Sequence, residues 1–295
     1  MKKTRQKLKT FSLIISLSFC SWLLVSPPTD AVAQKSQTAK IERGSLTAKN
    51  GFKNETEVRD KFNNWKVDDD ARAWLAAMNY KVSEIESIIA SKPHGQKADV
   101  EIRIRSKSEP GAVATGTSMQ QNERIEGISI KLVSSPNGFN QIDKRWLATY
   151  AKLWKMPTEV VESLKFFVGE TPPTRATRNA KRMFLNELDL PQQKAVVDFF
   201  TANKDEIVSH LFAGDGVHDA DWVMVALKAT DKPRWIIRSS ADTIKFFGEG
   251  KVEITRNGNL KIGRITMQRK GGDAGRETAK MLQFKINPAL LFEAK

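Results

Sequence analysis

The stretch GISIKLVSS, residues 127–135, constrains this chain more tightly than any other feature, because apolar residues that recur every second position fit a strand and not a helix. Ile128, Ile130 and Leu132 make one face; Ser129, Lys131 and Val133 make the other. A lysine on that second face lies either on a solvated sheet surface or in a cleft where its ammonium does chemistry. A second run, ADVEIRIRS at 98–106, alternates in the same way, with Val100, Ile102 and Ile104 opposite Asp99, Glu101, Arg103 and Arg105. If the two strands pair, Asp99 and Lys131 share a sheet edge.

Around these strands the pattern is helical first and strand-rich later. Val58, Phe62 and Trp65 recur at helical spacing behind Asn54 as a cap. DDDARAWLAAMNY predicts a second helix and SEIESIIAS a short third. PNGFNQ is a loop by its Pro, Asn and Gly content. DKRWLATYAKLWKMP, TRATRNAKRMFLNEL and PQQKAVVDFFTANKDEIVSHLF read as further helices, and the Trp146, Leu147, Tyr150 and Trp154 stripe reads as core. DWVMVALKA, RWIIRSS, KVEITRNGNLKIGRITMQRK and MLQFKINP read as strands, with RNGNLK as a hairpin turn. The order predicts an α/β domain with a mixed sheet.

Five basic residues, Lys2, Lys3, Arg5, Lys7 and Lys9, are followed by FSLIISLSFCSWLLV, uncharged from Phe11 to Val25, and then by small residues at Ala31 and Ala33. This order predicts a signal peptide over 1–33 and an exported, periplasmic protein; the alternatives are an uncleaved anchor or a spurious upstream start, and without export the chain is cytoplasmic. A loose linker is expected over 34–49 and a single domain over 50–295. Of the net charge of +14, the 1–33 segment carries +4. Residues 251–295 hold ten Lys or Arg against four Asp or Glu, a field suited to a polyanion such as nucleic acid. The single cysteine, Cys20, falls in the signal segment, which leaves the remainder with no disulfide and no thiolate nucleophile. His94, His210 and His218 lack the spacing of a zinc site.

An oxygen ligand such as Asp99, with Glu101 two residues on, suits a hard cation like Mg²⁺ that keeps waters and grips phosphate. A lysine nearby orients water and offsets charge developing at phosphorus. On spacing alone, a turn aspartate and a solvated lysine explain the same residues. Arg175, Arg178, Lys181 and Arg182 follow helical spacing and suit a phosphate backbone, or an ordinary solvated face. In QRKGGDAGRE, Gln268, Arg269, Lys270 and Asp273 are the residue types that read base edges, next to two glycines that permit close approach; a plain surface turn is the other reading. Asp215, Asp219 and Asp221 in AGDGVHDADW do not match a calcium loop and read as turn and cap residues.

Three blocks, GSLTAKNGFKNETEVRDKFNNW, IKLVSSPNGFNQIDKRWLATY and ITMQRKGGDAGRETAKMLQFKINP, resemble the Hin-P-one-I family of type II restriction endonucleases, from about Gly44 to the C-terminus. The resemblance implies the Asp…Glu/Gln-Xaa-Lys nuclease fold, a restriction-endonuclease-like mixed β-sheet flanked by helices. It also implies Mg²⁺ dependence and cleavage of both strands of double-stranded DNA at GCGC. It places a catalytic core at about 50–170 and a DNA-recognition part at about 171–295. Asp99 takes the place of the metal-binding aspartate, Lys131 that of the catalytic lysine, and Glu55 that of a first-helix glutamate completing the metal environment. PNGFNQ matches a loop that enters DNA, with Phe139 as a wedge and Asn140 and Gln141 beside it. Ser129 stands where the family has Gln or Glu, so Glu101, Glu55 or the Ile130 carbonyl is expected to supply the missing oxygen. Expected partners are DNA, a cognate methyltransferase encoded nearby and a second copy as a homodimer, with no stable membrane association after processing. The rivals are an exported nuclease of relaxed specificity and a catalytically impaired DNA-binding protein.

Overall fold

A computed structural model of the chain describes residues 49–107, 122–214, 219–230, 232–270 and 276–294. The expected signal segment, nearly all of the 34–49 linker, Asp215, His218 and Asp273 lie outside them. No helix among the described residues is long and apolar enough to cross a membrane.

Helix α1 spans residues 49–63 and α2 spans Asp69–Ala77. Asn54 does not cap α1; it lies inside it, 2% exposed, and begins the buried i, i+4 row Asn54, Val58, Phe62. Asp68 caps α2 through the Ala71 N–H at 2.9 Å, as the acidic run predicts.

The predicted third helix is instead a strand, β1 (Ile85–Ser91), paired antiparallel with β2 (Val100–Ser106). A bulge between Ile85 and Ser87 puts Ile85 and Ile88 on one buried face, and this three-residue spacing imitates a helix. The open edge of β1 is covered by Asn63 of α1, whose carboxamide accepts from Ala90 N at 2.8 Å and donates to Ala90 O at 3.1 Å.

β3 (Glu123–Val133) pairs antiparallel with β2, as the alternation allows, and parallel with β5 (Trp222–Leu227), which pairs with β6 (Arg234–Ser239). The first sheet therefore runs β1-β2-β3-β5-β6. Two of its strands come from the half expected to recognise DNA. A parallel step needs a long crossover, and the chain makes it through β4 (Asn140–Arg145), α3 (Leu147–Leu153), α4 (Thr158–Val168), α5 (Leu190–Ala202) and α6 (Lys204–Phe212).

Three segments differ from expectation here. NQIDKR forms β4 rather than loop and helix start, because its carbonyls and N–H groups find β10. TRATRNAKRMFLNEL forms no α-helix: Glu187 takes the Arg178 N–H at 2.8 Å and the Phe184 N–H at 2.7 Å, which folds the segment into turns ending in a 3₁₀ turn at Leu185–Glu187. The expected single helix over 191–212 breaks at Asn203 into α5 and α6.

After β6 come α7 (Ser240–Gly248), β7 (Val252–Ile254), β8 (Leu260–Ile262), β9 (Ile265–Arg269) and β10 (Leu282–Ile286). The second sheet, β4-β10-β9-β8-β7, is antiparallel throughout. One core lies between α1, α2 and the Ile128 and Ile130 face of the first sheet; the other lies between the opposite face, the helices and the second sheet. Tyr150 and Trp154 of the aromatic stripe stack at 4.7 Å and meet Phe284 edge-on, while Trp146 stays partly exposed. His210 accepts the Trp154 indole N–H at 3.0 Å, which gives it a structural role.

Candidate active site

The site arises where β2 runs out beside β3. The ladder ends at Val100 opposite Ile128, and Asp99 N still donates to Ile128 O at 2.9 Å. Two residues on, Ile130 turns its backbone groups to the same side but has no strand there to bond. The Asp99 carboxylate fills the gap and accepts the Ile130 N–H at 2.6 Å. Its Oδ2 also accepts from the Ser129 hydroxyl at 3.4 Å. Lys131 folds back over this end, with its ammonium 3.0 Å from Ser129 Oγ, 3.2 Å from Ile130 O and 3.7 Å from Asp99 Oδ2. Lys131 thus faces a cleft, not open solvent, and its side chain is 14% exposed.

That cleft, about 380 Å³, is walled by the segment ahead of β2, by β3, by Gln141 to Arg145 of β4, and by Gly214 and Asp219. Asp219 comes this close because Gly127 has no side chain: a Cβ there would sit 2.0 Å from the Asp219 carbonyl. The neighbouring Asp221 binds the Gly127 N–H at 2.7 Å, and its carboxyl is pushed up, mainly by burial.

Sequence reasoning missed Lys97, Asp143, Arg145 and Tyr150. Lys97 donates to Ile142 O at 2.9 Å and stands 3.8 Å from Asp143. Burial lowers its ammonium to about 8, against the pull of Asp143 and with added repulsion from Lys131. Asp143 accepts from the Tyr150 hydroxyl at 2.7 Å and from Arg145 at 3.1 and 3.3 Å. The signals were present: Lys97 stands two residues before Asp99, and QIDKR places charges two apart along a strand.

The other expected residues divide. Glu55 pairs with Lys92 at 2.9 Å, and it neither lines the cleft nor bonds Asp99, Ser129 or Lys131. Phe139 is the exposed tip, 63% accessible, of a loop tied down by Asn140 to Leu132 O and by Asn287 to Pro136 O, both at 2.8 Å. Asn140 is therefore a loop clamp, whereas Gln141 lines the cleft.

The arginines are engaged with the protein itself, Arg175 and Arg178 at the surface and Arg182 and Arg269 half-buried. Arg175 binds Asp189 and the Glu187 carbonyl; Arg178 binds Glu187 and Asn186 and lies 4.1 Å over the Phe184 ring. Arg182 donates to Lys270 O at 2.9 Å and Ala279 O at 3.1 Å. Arg269 stacks on Phe184 at 3.9 Å, donates to Met183 O, and is lowered to about 10 by burial first and then by Arg182. Lys181 is exposed and its ammonium has no bond among the described residues. Gln268 pairs with Gln283 across β9 and β10, and Lys270 follows β9 with its N–H on Met281 O.

A mixed sheet carrying an aspartate at the frayed end of one strand and a lysine on the next is the arrangement of a restriction-endonuclease-like nuclease. A crystal structure of the restriction endonuclease MspI in complex with its cognate DNA shares this fold, with a TM-score of 0.51 over 76% of this chain and 80% of that one at 14% identity. No curated protein matches the chain in sequence. The R.HinP1I restriction endonuclease family model matches residues 78–292, and the chain belongs to that family. It is a type II restriction endonuclease.

Proposed function

We propose that the protein hydrolyses phosphodiesters in double-stranded DNA at GCGC, with Mg²⁺. The observation that supports this best is the convergence of Asp99 Oδ2, Ser129 Oγ and the Ile130 carbonyl on one cation, the Lys131 ammonium, in an open polar cleft. These are hard oxygen donors, and Asp99 Oδ1 is free of hydrogen bonds among the described residues, so the set fits a hard divalent ion. No three His, Cys, Asp or Glu side chains gather there among the described residues, so carbonyl, water and phosphate oxygens would complete the shell around Asp99 and Ile130. When bound, Mg²⁺ supplies Lewis acidity at the phosphate and a more acidic water.

The chain's own residues do the rest. The Ile130 N–H fixes the direction in which Asp99 offers its lone pairs. Ser129 holds Lys131 where its charge offsets the negative charge that builds at phosphorus as water adds and the sugar oxygen leaves. Phe139, exposed on its anchored loop, would wedge between bases, and Gln141, in the cleft lining, would contact them. A second reading, a DNA-binding protein with impaired turnover, draws on Ser129, a weaker metal ligand than the family's carboxamide or carboxylate. Export by the 1–33 segment belongs to the same proposal and would separate the enzyme from host DNA.

Plasmid digestion with Mg²⁺ separates the readings of activity. Discrete bands at GCGC support the proposal; a smear replaces it with relaxed cleavage, and a gel shift without cuts replaces it with binding alone.

A further inference from the structure

Lys97 and Lys131 are equally enclosed, with side chains 13% and 14% exposed, and both line the cleft. Their partners differ. Lys131 leans on the group of oxygens around Asp99. Lys97 comes from the segment ahead of β2 and meets β4 on the far wall, where its one hydrogen bond among the described residues goes to a neutral carbonyl, Ile142 O. The nearest carboxylate, Asp143, is 3.8 Å away and already committed: Arg145 balances its charge and Tyr150 takes a further lone pair.

An ammonium carries three donors, and an enclosed one without a balancing anion is costly. Lys97 uses one donor. Its neighbour Ala98 is turned into the protein, 2% exposed, so Lys97 and Asp99 on either side of it both address the cleft. The cleft therefore holds an enclosed ammonium whose one ion pair among the described residues is long and goes to a carboxylate that Arg145 shares.

We propose that Lys97 binds a DNA phosphate oxygen in the cleft, as a second cation facing Lys131 across the bound backbone. The proposal rests on the DNA-cleaving reading above and adds a phosphate contact to it. The alternative is a brace, in which Lys97 only ties the segment ahead of β2 to β4.

The test uses the full chain, a short GCGC duplex and a series of salt concentrations without Mg²⁺, followed by single-turnover cleavage with Mg²⁺. Lys97→Gln keeps a donor for the Ile142 carbonyl and removes the charge; Lys97→Arg keeps the charge. The slope of log affinity on log salt should flatten by about 0.9 in Lys97→Gln, as for one lost phosphate contact on duplex DNA, and return in Lys97→Arg. Cleavage by Lys97→Gln should fall on the order of 100-fold with the fold intact by circular dichroism. Lys97→Met repeats the charge removal should the Gln variant fail to fold. An unchanged slope in both neutral variants overturns the proposal and leaves the brace. A wild-type protein that binds no duplex overturns the function reading itself, a different failure.

Discussion

Two groups of cations stand out on this chain, one around Asp99 and one between Arg175 and Lys270, and the fold uses them in opposite ways. In the cleft, Lys97 makes one hydrogen bond and Lys131 rests on Ser129, Ile130 and Asp99, and both face an open, polar space. In the second group, Arg175, Arg178, Arg182 and Arg269 are engaged with backbone carbonyls, Glu187, Asp189 and the Phe184 ring. A guanidinium has five donors in a plane and an apolar face, so it can tie together a segment that has no regular ladder of its own. The lysines suit a ligand; the arginines replace the hydrogen bonds that residues 174–184 would otherwise lack. Positive charge in a sequence marks neither role until its donors are followed to their acceptors.

The largest effects should come from the cleft. Asp99→Ala or Lys131→Ala should lower single-turnover cleavage by about 10³-fold or more while leaving duplex affinity within a few-fold, because each acts on charge that develops at the transition state. Retained cleavage in either variant would break the contrast, since the cleft would then hold no essential group. Phe139→Ala, on an exposed tip, should leave melting temperature unchanged and weaken DNA binding, as calorimetry and anisotropy would read.

The arginine group should respond in stability. Arg182→Ala removes the guanidinium donor from the Lys270 and Ala279 carbonyls, and Glu187→Gln weakens the centre of the turn segment; each should cost about 1–3 kcal/mol in denaturant unfolding and leave the salt slope of DNA binding unchanged. Burial pushes the Glu187 carboxyl up, but the Arg178 and Phe184 N–H groups and the Arg178 guanidinium outweigh it and hold the carboxyl below its usual range. Its folded value is thus below its unfolded one. Its contribution is present above the unfolded value of about 4.3 and is lost as pH falls through the folded value. Wild-type stability should decline over that acid window, and Glu187→Gln should flatten the decline. Relaxed site choice at unchanged stability in Arg182→Ala or Arg269→Ala would instead make these arginines readers.

How legible each region is follows from the range of its interactions. Asp99 and Lys131 can be placed because alternation within each strand sets their face, and two strands close in sequence pair directly. β1 reads as a helix because its bulge spaces Ile85 and Ile88 as a helix would. The Arg175 to Arg182 spacing is helical, yet Glu187, outside that window, decides the fold by taking the Arg178 and Phe184 N–H groups. Lys97 and Asp143 meet only because β4 crosses in front of the first sheet, a contact that no local pattern records. Glu55 occupies its expected helix, but Lys92, just past the end of β1, claims its carboxylate.

The smallest expected effect is at Ser129, which is 2% exposed and stands between Asp99 and Lys131. Its hydroxyl is the closest hydrogen-bond partner of Lys131, yet Ile130 O and Asp99 remain to hold the ammonium when it is lost. One neutral oxygen to a charged donor is worth about 1.5–3 kcal/mol at most, and the remaining acceptors recover part of it. Ser129→Ala should therefore slow single-turnover cleavage by roughly ten-fold, far less than Asp99→Ala, with the loss in rate rather than in affinity. Ser129→Gln should hold or raise the rate at limiting Mg²⁺ if the added carbonyl oxygen reaches the cation beside Asp99. A Ser129→Ala enzyme as inactive as Asp99→Ala, with Ser129→Gln inactive too, would mean that the hydroxyl itself positions Lys131 and that the oxygens of Asp99 and Ile130 do not suffice.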